Sequence, residues 1–278
     1  MPKIAINVYI DPDAQLADDV QVGPNCYIGP KVSIGPGCKL HNNVTIMGST
    51  TIGHQNEFYP NSVIGGDPQD LKFKGGSTQL FVGSNNIFRE NVTVNRGTEV
   101  GGGKTVIGNG NLFMVGVHIG HDCVVEDHVI IANNALIGGH VKLERSTVIG
   151  GGAAIHHFAT IGRNAMIGGL TRVVTDVPPF MIFEGNPGIV RGVNSKGLSR
   201  NEFTDEQIQA VKDAYKKLFR GGNFLSALAE LDQEPNEDRN LKYLIDFMRR
   251  SLQGKYGRYL ETIRHDTPED IGNFYKDK

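Results

Sequence analysis

A histidine followed directly by a carboxylate, in His118-Ile119-Gly120-His121-Asp122, is the stretch of this sequence whose residue types could do chemistry. A neutral imidazole, with an ordinary pKa of about 6.5, accepts a proton near neutral pH. A carboxylate beside it can fix its tautomer and stabilise the imidazolium that forms. The pair therefore suggests general-base catalysis, with no Ser or Cys nucleophile required. Further histidines follow at His140, His156 and His157. What this set can do depends on the element that positions it.

That element is a repeat. Counting in sixes from Ile4 gives Ile10, Leu16, Val22, Ile28, Ile34, Leu40, Ile46, Ile52, Phe58 and Ile64; the count resumes at Val82, Phe88, Val94 and Val100, and again from Ile107 through Phe113 and Ile119 to Val173. The fourth residue after each is mostly small or β-branched, as in Val20, Cys26, Cys38, Val117, Cys123, Ala135 and Ala153. Two inward positions in every six, one large and one small, is the hexapeptide pattern of a parallel β-helix. One unit buries nothing alone, but three make a triangular coil of about eighteen residues, and stacked coils bury a continuous aliphatic column. Each such side chain contributes about 1.5 to 3 kcal/mol when its neighbours stack.

Eighteen-residue coils turn sequence into columns. Gly139 falls over His121 and His157 one coil further, His140 over Asp122, His156 over Gly138, and Gly169 over Gly151. The spacing thus gathers His118, His121, His140, His156 and His157 on one edge around a glycine, where a ligand could bring an acyl oxygen to a backbone N–H.

The rest of the chain bounds the reading. Its 278 residues carry a net charge of -2, which gives no general attraction to nucleic acid. There is no apolar run long enough to span a membrane, and the start, Met1-Pro2-Lys3-Ile4, does not read as a signal peptide, so a cytoplasmic protein is expected. Cys26, Cys38 and Cys123 all occupy the small inward position and read as packing residues, with no metal-ligand spacing. The period stops at Asp176-Val177-Pro178-Pro179, where two prolines remove ladder donors and are expected to end the last strand. The expected organisation is an all-β parallel β-helix over 1–177, a linking segment over 178–203 and a smaller α-helical region over 204–278. In the last, Thr204-Asp205-Glu206-Gln207 is a capping box opening a helix to about Phe219; a second spans Phe224 to Leu231, and a third, after Pro235, runs to about Leu252. From Gln253 onward a short helix or a frayed tail is expected.

With these residues in view, the chain resembles the UDP-N-acetylglucosamine O-acyltransferases of lipid A biosynthesis, over nearly its whole length to about residue 250. The resemblance rests on Gln69-Asp70-Leu71-Lys72, Asn91 through Thr98, His118 through Cys123, Ala132-Asn133-Asn134-Ala135, Gly139-His140, Ile149-Gly150-Gly151, Asp176 through Pro179 and Gly192-Val193-Asn194. It implies a left-handed helix and transfer of a 3-hydroxyacyl chain from acyl carrier protein to the glucosamine 3-hydroxyl. It also implies a homotrimer with sites between adjacent prisms, and no cofactor beyond the phosphopantetheine of the carrier protein. By the same resemblance His121 matches the general base, Asp122 its partner, and Gly139 the residue whose N–H faces the oxyanion. His118, His140 and His156 match sugar and nucleotide contacts, and Asp70 and Lys72 contacts to the glucosamine and phosphates. Asn194 and Arg200 match nucleotide or phosphate positions, and Gly151 and Gly169 the acyl groove, a glycine at the second position implying a longer chain. The sequence departs from the family's usual residues at Asn95, His157, Lys196 and Asn201. His157, often Gln in the family, still falls in the substrate-binding column. The stripe Lys212, Lys216 and Arg220, with Lys217 beside it, would suit an acidic carrier protein.

Other readings stand beside this one. The same base could acylate a 3-amino sugar nucleotide. The later lipid A N-acyltransferase generally carries an extra N-terminal domain, whereas coils here start by Ile4. A zinc hydratase resembling γ-class carbonic anhydrases would need three histidines converging at metal distance. A non-catalytic prism would leave the histidine edge unexplained.

Overall fold

The computed structural model describes residues 1–233 and 238–264. Most strands of the prism are two-residue pieces, each ending on the large inward residue of the six, as in His118–Ile119, Leu136–Ile137 and Ala154–Ile155. Among the described residues they form three sheets of eleven, nine and eight strands, parallel throughout except for one last pair. Strands pair with the equivalent strand of the next coil, so Ile119 lies beside Ile137 and Ile137 beside Ile155. The result is a left-handed parallel β-helix followed by helices.

Corners between sheets are made by residues with left-handed backbone angles, and those too stack in columns. Asp122, His140 and Phe158 have φ of 59°, 61° and 64°. Asp and His tolerate this region better than most residues; a phenylalanine rarely adopts it. Inside, the large positions form columns such as Phe58, Phe88 and Phe113, whose rings stack at 4.8 and 4.7 Å. The three cysteines are buried and free, and Cys123 donates to the Gly138 carbonyl at 3.1 Å. Burial pushes its thiol up to about 12, which keeps it protonated and unreactive.

One feature of the core differs from the aliphatic pattern. In the middle coils the small inward position is asparagine, and Asn56, Asn86 and Asn111 form a buried ladder. The Asn86 side chain donates to Asn56 Oδ1 at 2.9 Å and to the Gly108 carbonyl at 2.9 Å, while its own oxygen accepts from the Asn111 N–H at 2.9 Å. Each amide thus bonds backbone groups of a neighbouring coil.

The prolines at 178 and 179 stop the six-residue spacing, yet the first sheet continues past them. Met181–Gly185 pairs in parallel with Met166–Ile167 and then turns back as Gly188–Val193. The segment expected as a linker is therefore a hairpin that prolongs the prism, followed by α1 (Ser195–Arg200). Helices α2 (Asp205–Arg220), α3 (Phe224–Gln233) and α4 (Arg239–Leu252) pack around a second core that includes Phe180, Val211, Leu228, Leu244 and Phe247. The Thr204–Gln207 capping box is present. Pro235, the expected break before α4, lies outside the described residues. A short α5 (Tyr259–Thr262) follows, and among the described residues no helix is long and apolar enough to cross a membrane.

Asn86→Ala should cost about 1 to 3 kcal/mol, because it leaves the buried Asn111 N–H without its acceptor. Urea unfolding followed by circular dichroism would show this as a lowered midpoint; an unchanged midpoint would mean the ladder is not a stabilising element.

Candidate active site

The repeat is interrupted twice, and both interruptions open at the edge that carries His121. Phe58 and Phe88 are paired although thirty residues apart, and Phe88 and Phe113 although twenty-five apart, against eighteen for Phe113 and Ile131. The first excess forms the loop that carries Asp70 and Lys72. Arg96 staples it, bonding Asp67 Oδ1 at 2.8 Å and the Gly76 carbonyl at 2.9 Å, with its guanidinium over the Phe73 ring. Asn95 closes the base of the loop through the Asp67 carbonyl at 2.9 Å, and its own buried side-chain oxygen has no partner among the described residues. The second excess carries Thr98 to Asp122.

Adjacent residues in a strand point apart, but His121 and Asp122 sit in a corner, and there the left-handed angle of Asp122 turns its side chain back. His121 Nδ1 lies 2.8 Å from Asp122 Oδ2. The carboxylate is itself fixed: Thr98 donates its N–H to Oδ1 at 2.9 Å and its hydroxyl to Oδ2 at 2.6 Å. Only 1 % of the Asp122 side chain is exposed, so these donors take the place of water around a buried anion. With Nδ1 engaged, His121 turns Nε2 outward, 3.7 Å from Asp70 Oδ2, and Asp70 lies 3.7 Å from the Lys72 ammonium.

A cavity of about 390 Å³ opens there, lined by Asp70, Lys72, His121, Gly139, His140 and His157, together with Gln69, Leu71, Phe158 and Arg264. Gly139 is required by its neighbour: a Cβ at that position would lie 2.6 Å from His121 Nε2. Its carbonyl accepts from Phe158, while its N–H takes no part in the coil-to-coil ladder among the described residues. His140 stands edge-on to His121 at 5.1 Å, lies flat against Phe158 at 4.3 Å, and has Nε2 3.8 Å from Asp122 Oδ2.

Two further histidines, His118 and His157, are held uncharged. Burial, with His121 nearby, pushes His118 below its ordinary value, and its Nδ1 meets the Thr93 hydroxyl at 2.7 Å. Burial of its inner face and the neighbouring His156 ring, 3.8 Å away, take His157 down to about 4. Both are therefore neutral hydrogen-bonding groups at pH 7. His156 Nδ1 lies 2.9 Å from the His157 carbonyl.

Four residues expected in the site are placed elsewhere in the chain. Gly151 and Gly169 follow strands of the first sheet, whereas His121, Gly139 and His157 follow strands of the second, so the two sets stand on different edges of the prism. Asn194 is buried as the cap of α1; its side chain accepts from the Gly197 N–H and donates to the Asn164 carbonyl at 2.9 Å. Arg200 borders a separate basic recess with Lys196 and Lys212. Conversely, Thr98, Phe158 and Arg264 were not singled out as site residues. Thr98 reads in sequence as one more small inward residue. Phe158 could have been found as the next member of the Asp122–His140 column. Arg264 follows no period.

Among the described residues the donor group able to converge on a metal ion is His121, Asp122 and His140, two histidines and a carboxylate rather than three histidines, and Asp122 Oδ2 is already bonded by Thr98 and His121. Among the described residues of one chain, three histidines do not converge at metal distance.

Together, the prism and its histidine edge define a hexapeptide-repeat transferase. Residues 104–139 match the bacterial transferase hexapeptide model, residues 4–109 the C-terminal domain model of GMPPB, and residues 176–256 the second domain of Udp N-acetylglucosamine O-acyltransferase. An acyl-[acyl-carrier-protein]--UDP-N-acetylglucosamine O-acyltransferase of Anaeromyxobacter sp. (strain Fw109-5) is 40% identical over 210 residues, 75% of this chain and 82% of that protein. LpxA from Acinetobacter baumannii, at 41% identity, superposes with a TM-score of 0.84 over 87% of this chain and 95% of its own. LpxA of Bacteroides fragilis, a UDP-N-acetylglucosamine acyltransferase, does so at 36% identity with a TM-score of 0.86, over 88% and 96%. The chain belongs to the UDP-N-acetylglucosamine O-acyltransferase family, and it is an acyltransferase.

Thr98→Val removes one of the donors that hold Asp122 and should lower kcat about ten-fold, as expected for a hydrogen bond to a buried charge. Steady-state kinetics on the folded variant would measure it; wild-type kcat would mean that Asp122 is held without Thr98.

Proposed function

We propose that this protein transfers a (3R)-3-hydroxyacyl chain from acyl carrier protein to the glucosamine 3-hydroxyl of UDP-N-acetylglucosamine, the first step of lipid A biosynthesis in the cytoplasm. The observation that carries this reading is the orientation of His121: Nδ1 is tied to a buried carboxylate at 2.8 Å while Nε2 faces the cavity beside Gly139. A base needs this arrangement, with one nitrogen fixed as donor so that the other is a lone-pair acceptor.

In this reading Nε2 takes the proton of the sugar 3-hydroxyl as its oxygen attacks the thioester carbonyl carbon. The carbonyl π electrons move to oxygen, and the Gly139 N–H stabilises the resulting anion. Collapse breaks the carbon–sulfur bond, and His121 returns its proton to the departing phosphopantetheine thiolate. Asp122 stabilises the imidazolium between the two transfers. General-base catalysis of this kind contributes about 10² to 10⁴ in rate, and one oxyanion donor about 10² to 10³ more. Asp70 and Lys72 bind the glucosamine and phosphates, and His118, His140, His156 and His157 bind sugar and nucleotide. Arg200, in its basic recess with Lys196 and Lys212, serves the nucleotide, while Asn194 holds the start of α1. The donor's own phosphopantetheine is the only prosthetic group required.

A homotrimer explains why the proposed acyl groove stands on another edge: Gly151 and Gly169 of one prism would face His121 of its neighbour. A Cβ at either glycine would come no closer than 3.4 Å to the backbone, so packing within the prism does not demand glycine there. Leaving the surface bare makes room for a long acyl chain. The carrier protein is proposed to dock on α2, where Lys216 pairs with Asp213 at 2.9 Å and Arg220 bonds the Tyr215 hydroxyl at 3.0 Å.

His121→Ala should lose at least about 10²-fold in kcat with UDP-N-acetylglucosamine and hydroxyacyl carrier protein, and mass spectrometry of the wild-type product should show an ester at the 3-oxygen. Turnover like wild type in the folded variant would sink the mechanism, and an amide product would move the acceptor to an amino sugar. Lys216→Glu with Arg220→Glu should raise KM for the protein donor in a salt-sensitive way; an unchanged KM would remove α2 from the docking surface.

A further inference from the structure

Beyond α4 the described chain, residues 253–264, folds back along the third sheet as a strap and reaches the mouth of the His121 cavity. Several contacts hold it. The Asp176 carboxylate accepts from the Thr160 N–H at 2.7 Å and from the Tyr259 N–H at 3.0 Å, bridging prism and strap. The Asp176 N–H donates to the Gly257 carbonyl at 2.7 Å. Arg258 and Glu261 are both buried and bonded to each other, and Arg258 donates to the Val174 carbonyl. A buried ion pair with its remaining donors satisfied fixes geometry more than it adds stability. Here it fixes the direction in which the strap leaves α5.

That direction carries Arg264 to the cavity. Its guanidinium lies 5.3 Å above the centre of the Phe158 ring, with Glu261 at 3.7 Å, and it borders both the catalytic cavity and the neighbouring recess behind Asp122 and His140. Phe158 in turn lies flat on His140. The unusual left-handed phenylalanine therefore has a use as the platform on which an arginine is laid beside the base. The planar, permanently charged fork of arginine matches phosphate oxygens, and it stacks readily on an aromatic face.

We infer that the strap places Arg264 as a substrate-binding residue for a phosphate ester entering the His121 cavity. The inference rests on the acyl-transfer reading above, in which two substrates bring phosphate: the nucleotide diphosphate of the acceptor and the phosphopantetheine of the donor. Arg264 adds a second positive charge to the cavity that Lys72 lines and leaves the proton transfer to His121.

Arg264→Ala should raise KM for one of these substrates about ten-fold while kcat stays within about two-fold, and Arg264→Lys should recover part of the loss. A rise for UDP-N-acetylglucosamine together with weaker binding of UDP by calorimetry assigns the diphosphate. A rise confined to the acyl carrier protein donor assigns the phosphopantetheine. Arg264→Gln, which keeps a long polar side chain, covers the case in which alanine unsettles the strap, and Arg258→Met should reproduce the KM effect by releasing it. Both KM values and UDP binding unchanged in Arg264→Ala and Arg264→Gln, with an unchanged urea midpoint, would overturn the inference. UDP binding is measured without turnover, so failure of the wild type to acylate this sugar nucleotide would count against the proposed reaction and not against Arg264.

Discussion

Backbone hydrogen bonds running from each coil to the next are the constraint from which the rest of this molecule follows. Gly120 donates to Ile137, Gly138 to Ile155 and His156 to Val173, all at 2.9 to 3.0 Å. Because these bonds fix register, residues one coil apart must stack, and the large inward side chains form unbroken columns. The same register carries outward residues into columns as well. A catalytic edge is then obtained by placing suitable residue types at an interval, with no loop needed to bring them together.

Register also explains why the interruptions matter. Extra residues cannot be absorbed inside a coil without breaking the ladder, so they are expelled at corners. Both excesses emerge beside His121, one bringing Asp70 and Lys72, the other bringing Thr98 to Asp122. At another corner, between the third and first sheets, Asn56, Asn86 and Asn111 form a buried ladder whose amides bond backbone groups. The helical region is fastened to the same prism: Tyr243 of α4 bonds the buried Glu144, and Arg163 lies over the Tyr243 ring at 3.8 Å.

The sequence by itself determined the prism, because two inward positions in every six leave one way of burying both, and it determined the His121–Gly139–His157 column, because stacking is arithmetic once the period is known. The two helices that the capping box and the glycine pair delimit were legible for similar local reasons. Tertiary structure alone decided that His121 and Asp122 face each other, since that depends on a left-handed corner angle and on Thr98 arriving from a coil whose register is broken. It decided that Asn194 is buried in a cap rather than open to the cavity, and that the sheet runs on past Pro178-Pro179. It decided the course of the strap for the same reason: Asp176, Arg258 and Glu261 are far apart or irregular in sequence, and only folding puts them in contact. Periodic positions can be read from the chain; contacts made across an interruption cannot, because no spacing records them.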